Sequence, residues 1–254
     1  MKIEHPGFNY NAHGHTYAGF RQADNRISKY IHDALGEART VLNVGAGAGS
    51  YEPMDRHVVA LEPSQVMRAQ RPGQHVPALI GKAESLPFDD RSFDASMAML
   101  TVHHWLYMKK GLRELRRVTR EQILILTFDP DELKNFWIAD YAPELIEVEK
   151  LRYPTIDFLV TALKGRAEVI RIPVPFDCTD GFQEAFYGRP EAFLEPGVRK
   201  SQSAWGFLAK GVEEEIVARL RKDLDSGVWD KRYGHFRMQK EFMGALKLII
   251  ASRD

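Results

Sequence analysis

The segment VLNVGAGAGS, Val41 to Ser50, sets three glycines in alternation with small residues directly after a short apolar run. Side chains kept that small suit a backbone against which a phosphate or the edge of a nucleoside must lie. Gly45 and Gly47 permit a positive φ and a close backbone approach. The spacing is G-x-G-x-G, with the third glycine at Gly49 and Ser50 at the place where a dinucleotide fingerprint needs glycine. The phosphate-loop signature G-x-x-x-x-G-K-S/T is absent, so a diphosphate is not specifically supported. Seventeen residues after Gly45, Glu62 closes a second apolar run, HVVALE. A carboxylate there can accept hydrogen bonds from both hydroxyls of a ribose, as any adenosine ligand allows. His103 and His104, in LTVHHW, follow a further apolar run. A neutral imidazole can take a proton near neutral pH; the alternative is that one ring packs beneath the loop and the other faces solvent.

The elements that position these residues read as alternating strands and helices. TVLNVG (40–45), HVVALE (57–62), VPALIG (76–81), FDASMAML (93–100) and QILILTFD (122–129) are apolar runs separated by polar segments, the pattern of a parallel sheet covered on both faces. MKKGLRELRRVTR (108–120) carries Leu112, Leu115 and Val118 at helical spacing and reads as a crossover helix. Further on, TIDFLVTALKG (155–165) is helical with Gly165 as its stop, and AEVIRIPVP (167–175) is a strand whose prolines suit an exposed end or edge. Residues 178–244 are mostly helical in pattern; within them VEEEIVARLRKDLDSG (212–227) puts Ile216, Val217, Leu220 and Leu224 on one face. ALKLIIA (245–251) is a final strand. A strand after so long a helical stretch means that the stretch is inserted into the sheet domain, and insertions over the ligand edge of a sheet often form lids.

The 254 residues suit a single domain with an insertion, residues 1–39 forming an N-terminal helical cap and 131–165 and 178–244 helical lid elements. Lys+Arg and Asp+Glu both number 35, a balance that argues against nucleic acid as the main partner. The N-terminus lacks the apolar core of a signal peptide, and no run approaches the roughly 18 apolar residues of a membrane span. The cytoplasm is the simplest location. Cys178 is the one cysteine and reads as a small buried side chain. His13 and His15, in HGH, have no companion cluster, so no metal site is expected. Glu213, Glu214 and Glu215 suit the first turn of a helix, where negative charge is favourable.

VLNVGAGAGSYE, VVALEPSQVMRAQ, GKAESLPFDDRSFDASMAMLTVHHW and LRELRRVTREQILILTFDP together resemble successive motifs of the class I S-adenosylmethionine-dependent methyltransferases, in particular the small-molecule branch that includes enzymes of ubiquinone and menaquinone biosynthesis. The resemblance covers about residues 40–130. It implies a Rossmann-like α/β fold: a seven-stranded, mainly parallel sheet with an antiparallel C-terminal strand and a helical lid insertion. It implies S-adenosyl-L-methionine as cofactor. Gly45, Ala46 and Gly47 would then lie against the methionine part, Glu62 would take the ribose hydroxyls, and Pro63 and Met67 would flank the adenine. Ala83 and Glu84 would lie at the adenine edge, and Leu100 would offer its carbonyl to the ammonium group. Tyr17 and Arg21, in YAGFR, would approach the carboxylate. His103 and His104 would stand where the acceptor meets the methyl group.

Asn43 and Lys82 stand where members of that family usually and often, respectively, have aspartate. Lysine cannot accept from the adenine amino group, so either Glu84 serves or backbone groups hold the ring. SYEPMDRH (50–57) leaves room for only a helical turn or two before the next strand, with Pro53 acceptable in a first turn. Aromatic residues of the second half, Trp137, Tyr153, Phe186, Tyr187 and Trp205, are expected in the core, some of them lining a substrate cavity with Arg189 and Arg199. The leading reading is methyl transfer to an O, N or C nucleophile of a small molecule. A protein that binds the cofactor without transferring methyl is the second reading. A nicotinamide-dependent oxidoreductase is the third, disfavoured by the glycine spacing.

Overall fold

The computed structural model describes residues 8–14 and 17–253. Three N-terminal helices come first: α1 (Tyr10–His13), α2 (Tyr17–Phe20) and α3 (Asn25–Leu35). In α3, Ile27, Ile31 and Leu35 recur every four residues and are fully buried, while Asp24 caps the first turn through Arg26 N–H. The strands β1 (Thr40–Val44), β2 (His57–Leu61), β3 (Phe93–Met99) and β4 (Thr119–Phe128) follow, with α4 (Gln65–Ala69) after β2 and α5 (Met108–Val118) between β3 and β4. Next come α6 (Ile138–Tyr141), α7 (Pro143–Arg152), α8 (Ile156–Leu163) and β5 (Arg166–Arg171). Two short strands, β6 (Val174–Pro175) and β7 (Glu241–Phe242), pair with each other. Between them lie α9 (Pro196–Lys200), α10 (Val212–Asp225) and α11 (Val228–Tyr233). The final strand is β8 (Leu246–Ser252).

The main sheet runs in the order β2-β1-β3-β4-β8-β5. Only β8 is antiparallel to its neighbours. Successive residues of each strand serve opposite faces. Met97, Leu124, Leu126 and Leu248 join α3 and the insertion in one core, and Ala98, Ile123, Ile125 and Ile249 join α5 and α8 in the other. Both faces are therefore covered, which is why these strands read as unbroken apolar runs. β5 is an edge strand with mostly exposed side chains, in keeping with the prolines that follow it.

Two local expectations are corrected. The run 76–81 is not a full strand, so the main sheet has six strands rather than seven. Leu79 alone bridges to β2, through its N–H to Ala60 O (2.8 Å) and through Glu62 N–H to its own carbonyl (2.9 Å). Pro77 has no N–H to extend the ladder, and Ile80 is 75% exposed. The second correction concerns residues 50–57, which form no helix at all. Tyr51 takes a positive φ (65°), and this turn sends the chain straight across to β2.

Residues 172–245, between β5 and β8, build a compartment around Trp229, Tyr187 and Phe193, all fully buried. Part of it, at Phe182 and Gln202, stands beside Leu100 and Phe128, at the carboxyl ends of β3 and β4. No helix among the described residues is long and apolar enough to cross a membrane.

Candidate active site

A cavity of about 420 Å³ opens at the carboxyl ends of β1, β2 and β3. That edge is where an open parallel sheet binds ligands. Gly45, Gly47 and Gly49 all adopt positive φ (71°, 51° and 97°). At Gly45 the need is double, since a Cβ would come within 2.1 Å of Thr101 Oγ1. Glycine here lets the first loop pack against the loop after β3, a requirement that the segment alone does not reveal.

Of the residues expected at the cofactor, Tyr17, Gly45, Ala46, Gly47, Glu62, Pro63, Met67, Ala83, Glu84 and Leu100 all line this cavity, as does His104. Glu62 accepts from Gly47 N–H (2.9 Å) through one oxygen and from Ser64 N–H (2.7 Å) through the other. Burial pushes its carboxyl above the ordinary glutamate value, against the pull of those two N–H groups. Each oxygen keeps a second lone pair for a ligand hydroxyl. Ser64 caps α4 and donates to Asn11 Oδ1 (2.8 Å). Gln70, following α4, donates to Gly14 O (2.7 Å) and accepts from Ala18 N–H (3.1 Å). The N-terminal segment is thus strapped over the cavity. Glu84 accepts from Tyr107 N–H (3.1 Å) at the start of α5. Leu100 has φ 51°, uncommon for a branched side chain; the turn it makes carries the chain from β3 into the short 3-10 helix Val102–His104.

Asn43 is explained by its neighbour. Its Nδ2 donates to Glu52 Oε1 (3.0 Å), and Glu52 is also bound by Arg71 (2.6 Å) and His75 (3.0 Å). Aspartate at 43 would set two carboxylates face to face. Lys82 is exposed at the cavity rim.

Arg21 and His103 do not line the first cavity. They face a second, smaller chamber of about 40 Å³, together with Phe128, Tyr153 and Phe182. Arg21 is held there by Asp180 (2.5 Å), which also accepts from the Tyr51 hydroxyl (2.7 Å). Tyr10, Tyr17, Leu100 and His104 line both spaces and form the partition between them.

The two histidines differ in their surroundings. His104 has Tyr10 Oη 3.0 Å from Nε2 and a long 3.5 Å contact from Arg152 to Nδ1. His103 packs between His104 and Tyr153, ring centroids 3.9 and 4.2 Å away with the rings tilted by 43° and 37°, and its Nδ1 is buried without a partner. Burial holds both imidazoles well below the ordinary histidine range, with the nearby Arg152 and Arg21 charges acting in the same direction.

Several site residues were not legible in the sequence. Tyr10, Thr101, Glu149, Arg152 and Asp180 carry no motif and reach the site from separate elements. Of the aromatics expected in the insertion, Tyr153 lines the second chamber. Trp137 and Trp205 are core residues whose indoles donate to Tyr187 O (2.8 Å) and Gln202 Oε1 (3.1 Å). Arg189 binds the carbonyls of Cys178 and Ala185, and Arg199 binds Glu213 and Phe193 O, so neither lines the chamber. Cys178 is buried, and burial pushes its thiol up to about 12. His15 lies outside the described residues, and no group of metal-ligating side chains occurs among the described ones.

The family model for a methyltransferase domain matches residues 42–127. A solved structure from Anabaena variabilis, provisionally described as a methyltransferase from an antibiotic biosynthesis pathway, is 31% identical, with a TM-score of 0.84 over 91% of this chain and 98% of that one. A malonyl-[acyl-carrier protein] O-methyltransferase of Erwinia pyrifoliae is 34% identical over 50% of this chain and 49% of its own length. An uncharacterized methyltransferase of Bacillus subtilis, YcgJ, is 32% identical over 41% of this chain and 42% of its own. The chain spans about half or less of the length of these curated relatives.

Proposed function

The chain belongs to the class I S-adenosylmethionine-dependent methyltransferases, with S-adenosyl-L-methionine as cofactor, and from that premise we propose that it methylates a small molecule held in the second chamber. The observation that carries this reading is the shared partition: Tyr10, Tyr17, Leu100 and His104 line both the cavity at the glycine loop and the chamber behind it. A donor in one space and an acceptor in the other would meet at that wall.

The cofactor supplies a methyl group on a positively charged sulfur. Around it the chain offers matched groups. Glu62 takes the ribose hydroxyls with its two remaining lone pairs, and the turn at Leu100 presents a carbonyl to the ammonium. Met67 and Pro63 flank the adenine. The positive φ at Gly47 keeps the loop backbone close to the methionine part, while Tyr17, which lines the same cavity, lies toward its carboxylate end. Burial of the chamber excludes water, and fixed orientation of the acceptor supplies several kcal/mol of the acceleration. If the acceptor atom carries a proton, a neutral histidine of the pair accepts it, and the alanine variant of that histidine turns over roughly 10²- to 10⁴-fold more slowly. Residues 131–165 and 178–244 serve as the lid that encloses the acceptor.

The test is incubation with methyl-labelled cofactor and a small-molecule panel, read by product mass. Label transfer to a panel member supports the reading. Tight cofactor binding with no transfer to any acceptor would favour a non-methylating role.

A further inference from the structure

Against the glycine loop lies a buried cluster drawn from β1, the turn at 50–57 and the segment after α4. Glu52 accepts from Arg71 Nη2 through both carboxylate oxygens (2.8 and 2.6 Å) and from Asn43 Nδ2 (3.0 Å), with His75 Nδ1 3.0 Å from its Oε2. The side chains of Glu52 and Arg71 are 1% and 4% exposed. Arg71 also donates to Val76 O from Nε (3.0 Å) and from Nη2 (2.8 Å). Its other terminal nitrogen, Nη1, reaches Gly47 O in a long contact of 3.4 Å. The loop meets the cluster again at Gly49, where an added Cβ would stand 3.3 Å from the His75 ring and 3.4 Å from Arg71 Nη1.

Taking a carboxylate and a guanidinium out of water costs about as much as their attraction returns, so a buried pair adds little stability of itself. What the planar guanidinium adds is geometry, because its five fixed donors can hold a carboxylate and two carbonyls at set angles. The carbonyl of Gly47 is the one that matters for the cofactor. Gly47 N–H donates to Glu62 Oε2 (2.9 Å) while Gly47 O faces Arg71, so this residue is held on both sides. Glu62 is the carboxylate assigned to the ribose hydroxyls, and the direction of its Oε2 lone pairs depends on where Gly47 stands. Burial raises the Glu62 carboxyl, and the Arg71 charge is among the groups that pull it back.

Resting on the methyltransferase reading above, we propose that Arg71 is a positioning residue for ribose recognition, aimed by Glu52 at the Gly47 carbonyl so that Glu62 is held ready for the ribose hydroxyls. Neither Glu52 nor Arg71 lines the cofactor cavity, so their effect on the ribose passes through the loop and through Glu62. Asn43 belongs to the same set. The Glu52 carboxylate can only accept, so the amide nitrogen of Asn43 faces it, and a neutral residue at that position keeps a single carboxylate beside Arg71.

The probes are S-adenosylhomocysteine and its 2′-deoxy analogue, titrated calorimetrically into the native protein and two variants, each shown by thermal melting to be folded. The native protein should prefer the ribose form at least about tenfold, the loss expected for one hydrogen bond to a charged group. Arg71→Lys keeps a cation for Glu52, but a single ammonium cannot also hold Val76 O and Gly47 O; the preference should narrow to about threefold or less. The double variant Glu52→Gln/Arg71→Met removes both charges, leaves no uncompensated ion, and should narrow the preference as far. A general loss of stability would weaken both ligands alike and leave their ratio unchanged. A preference of native size in either variant therefore overturns the proposal and leaves Glu52 and Arg71 as a structural pair. S-adenosylhomocysteine bound by the native protein with no preference over the deoxy form would overturn the ribose role of Glu62 and the proposal with it. Failure of the native protein to bind S-adenosylhomocysteine at all would overturn the methyltransferase reading instead.

Discussion

At the scale of single residues, Glu62 and the histidine pair illustrate two kinds of legibility. Glu62 was readable because its position, at the end of β2 beside the glycine loop, is fixed by strand order. Its Ala variant should weaken S-adenosylhomocysteine binding by about 1.5–3 kcal/mol, the range for hydrogen bonds to a charged group. Calorimetry on a variant shown to be folded checks this; unchanged affinity would remove the ribose role. The histidines were readable as a pair, but the division between them was not. His104 is engaged by Tyr10 and Arg152, which come from α1 and α7. Their protonation is also a tertiary property. An unperturbed base would give a rate rising through about pH 6.5. Burial lowers both rings well below that value, so each is already neutral there. The maximal rate should be flat through the ordinary histidine range and fall only at lower pH. A limb centred near 6.5 that vanishes in the His103 variant would contradict the buried, depressed imidazole.

At the scale of elements, two contacts join segments that the periodicity treats separately. Gln70 ties Gly14 and Ala18 to the end of α4 by two hydrogen bonds. Gln70→Ala should cost about 1–3 kcal/mol of cofactor-product affinity, at about 0.5–1.5 kcal/mol per bond. Stopped-flow measurements should find the loss mainly in a faster release rate, with little change in melting temperature. Glu184, in the 3-10 turn Gln183–Phe186, accepts from Ala245 N–H just before β8. Burial raises its carboxyl from 4.5 to about 7. Below about pH 4.5 both folded and unfolded chains hold the proton. As pH rises to about 7 the unfolded chain releases it first, so stability falls over that window by about 3 kcal/mol. Glu184→Gln has no proton to lose. Denaturant unfolding at pH 4.5 and 7.5 should find the native protein's drop reduced by about that amount in the variant.

At the scale of the whole molecule, one buried ion pair closes the site. Asp180 of the insertion binds Arg21 of the N-terminal segment and Tyr51 at the exit of the glycine loop. Removing one member of a buried pair leaves the other uncompensated, typically at a cost of 3–5 kcal/mol. Asp180→Ala should lower the denaturant midpoint accordingly, and Asp180→Asn, which can still accept from Tyr51, should lose less. Equal stability of all three proteins would show that the three segments are not coupled through this group.

Sequence alone determined the doubly covered sheet, the crossover helix, the exposed edge at β5 and the existence of a final strand, because each follows from local periodicity and from the order of apolar runs; the antiparallel sense of that strand came from the family resemblance. The family resemblance also pointed to one cavity, which Gly45, Gly47, Glu62, Met67 and Leu100 line at the carboxyl end of that sheet. The failed strand at 76–81 and the absent helix at 50–57 show where periodicity misleads: Pro77 and the positive φ of Tyr51 decide those segments locally. Tertiary structure alone decided the second chamber. Tyr10, His103, Glu149 and Phe182 are separated by long stretches of chain and carry no shared motif. They converge only because the N-terminal segment and the insertion pack over the same carboxyl edge, where burial then fixes which charges are paired and leaves His103 Nδ1 without a partner.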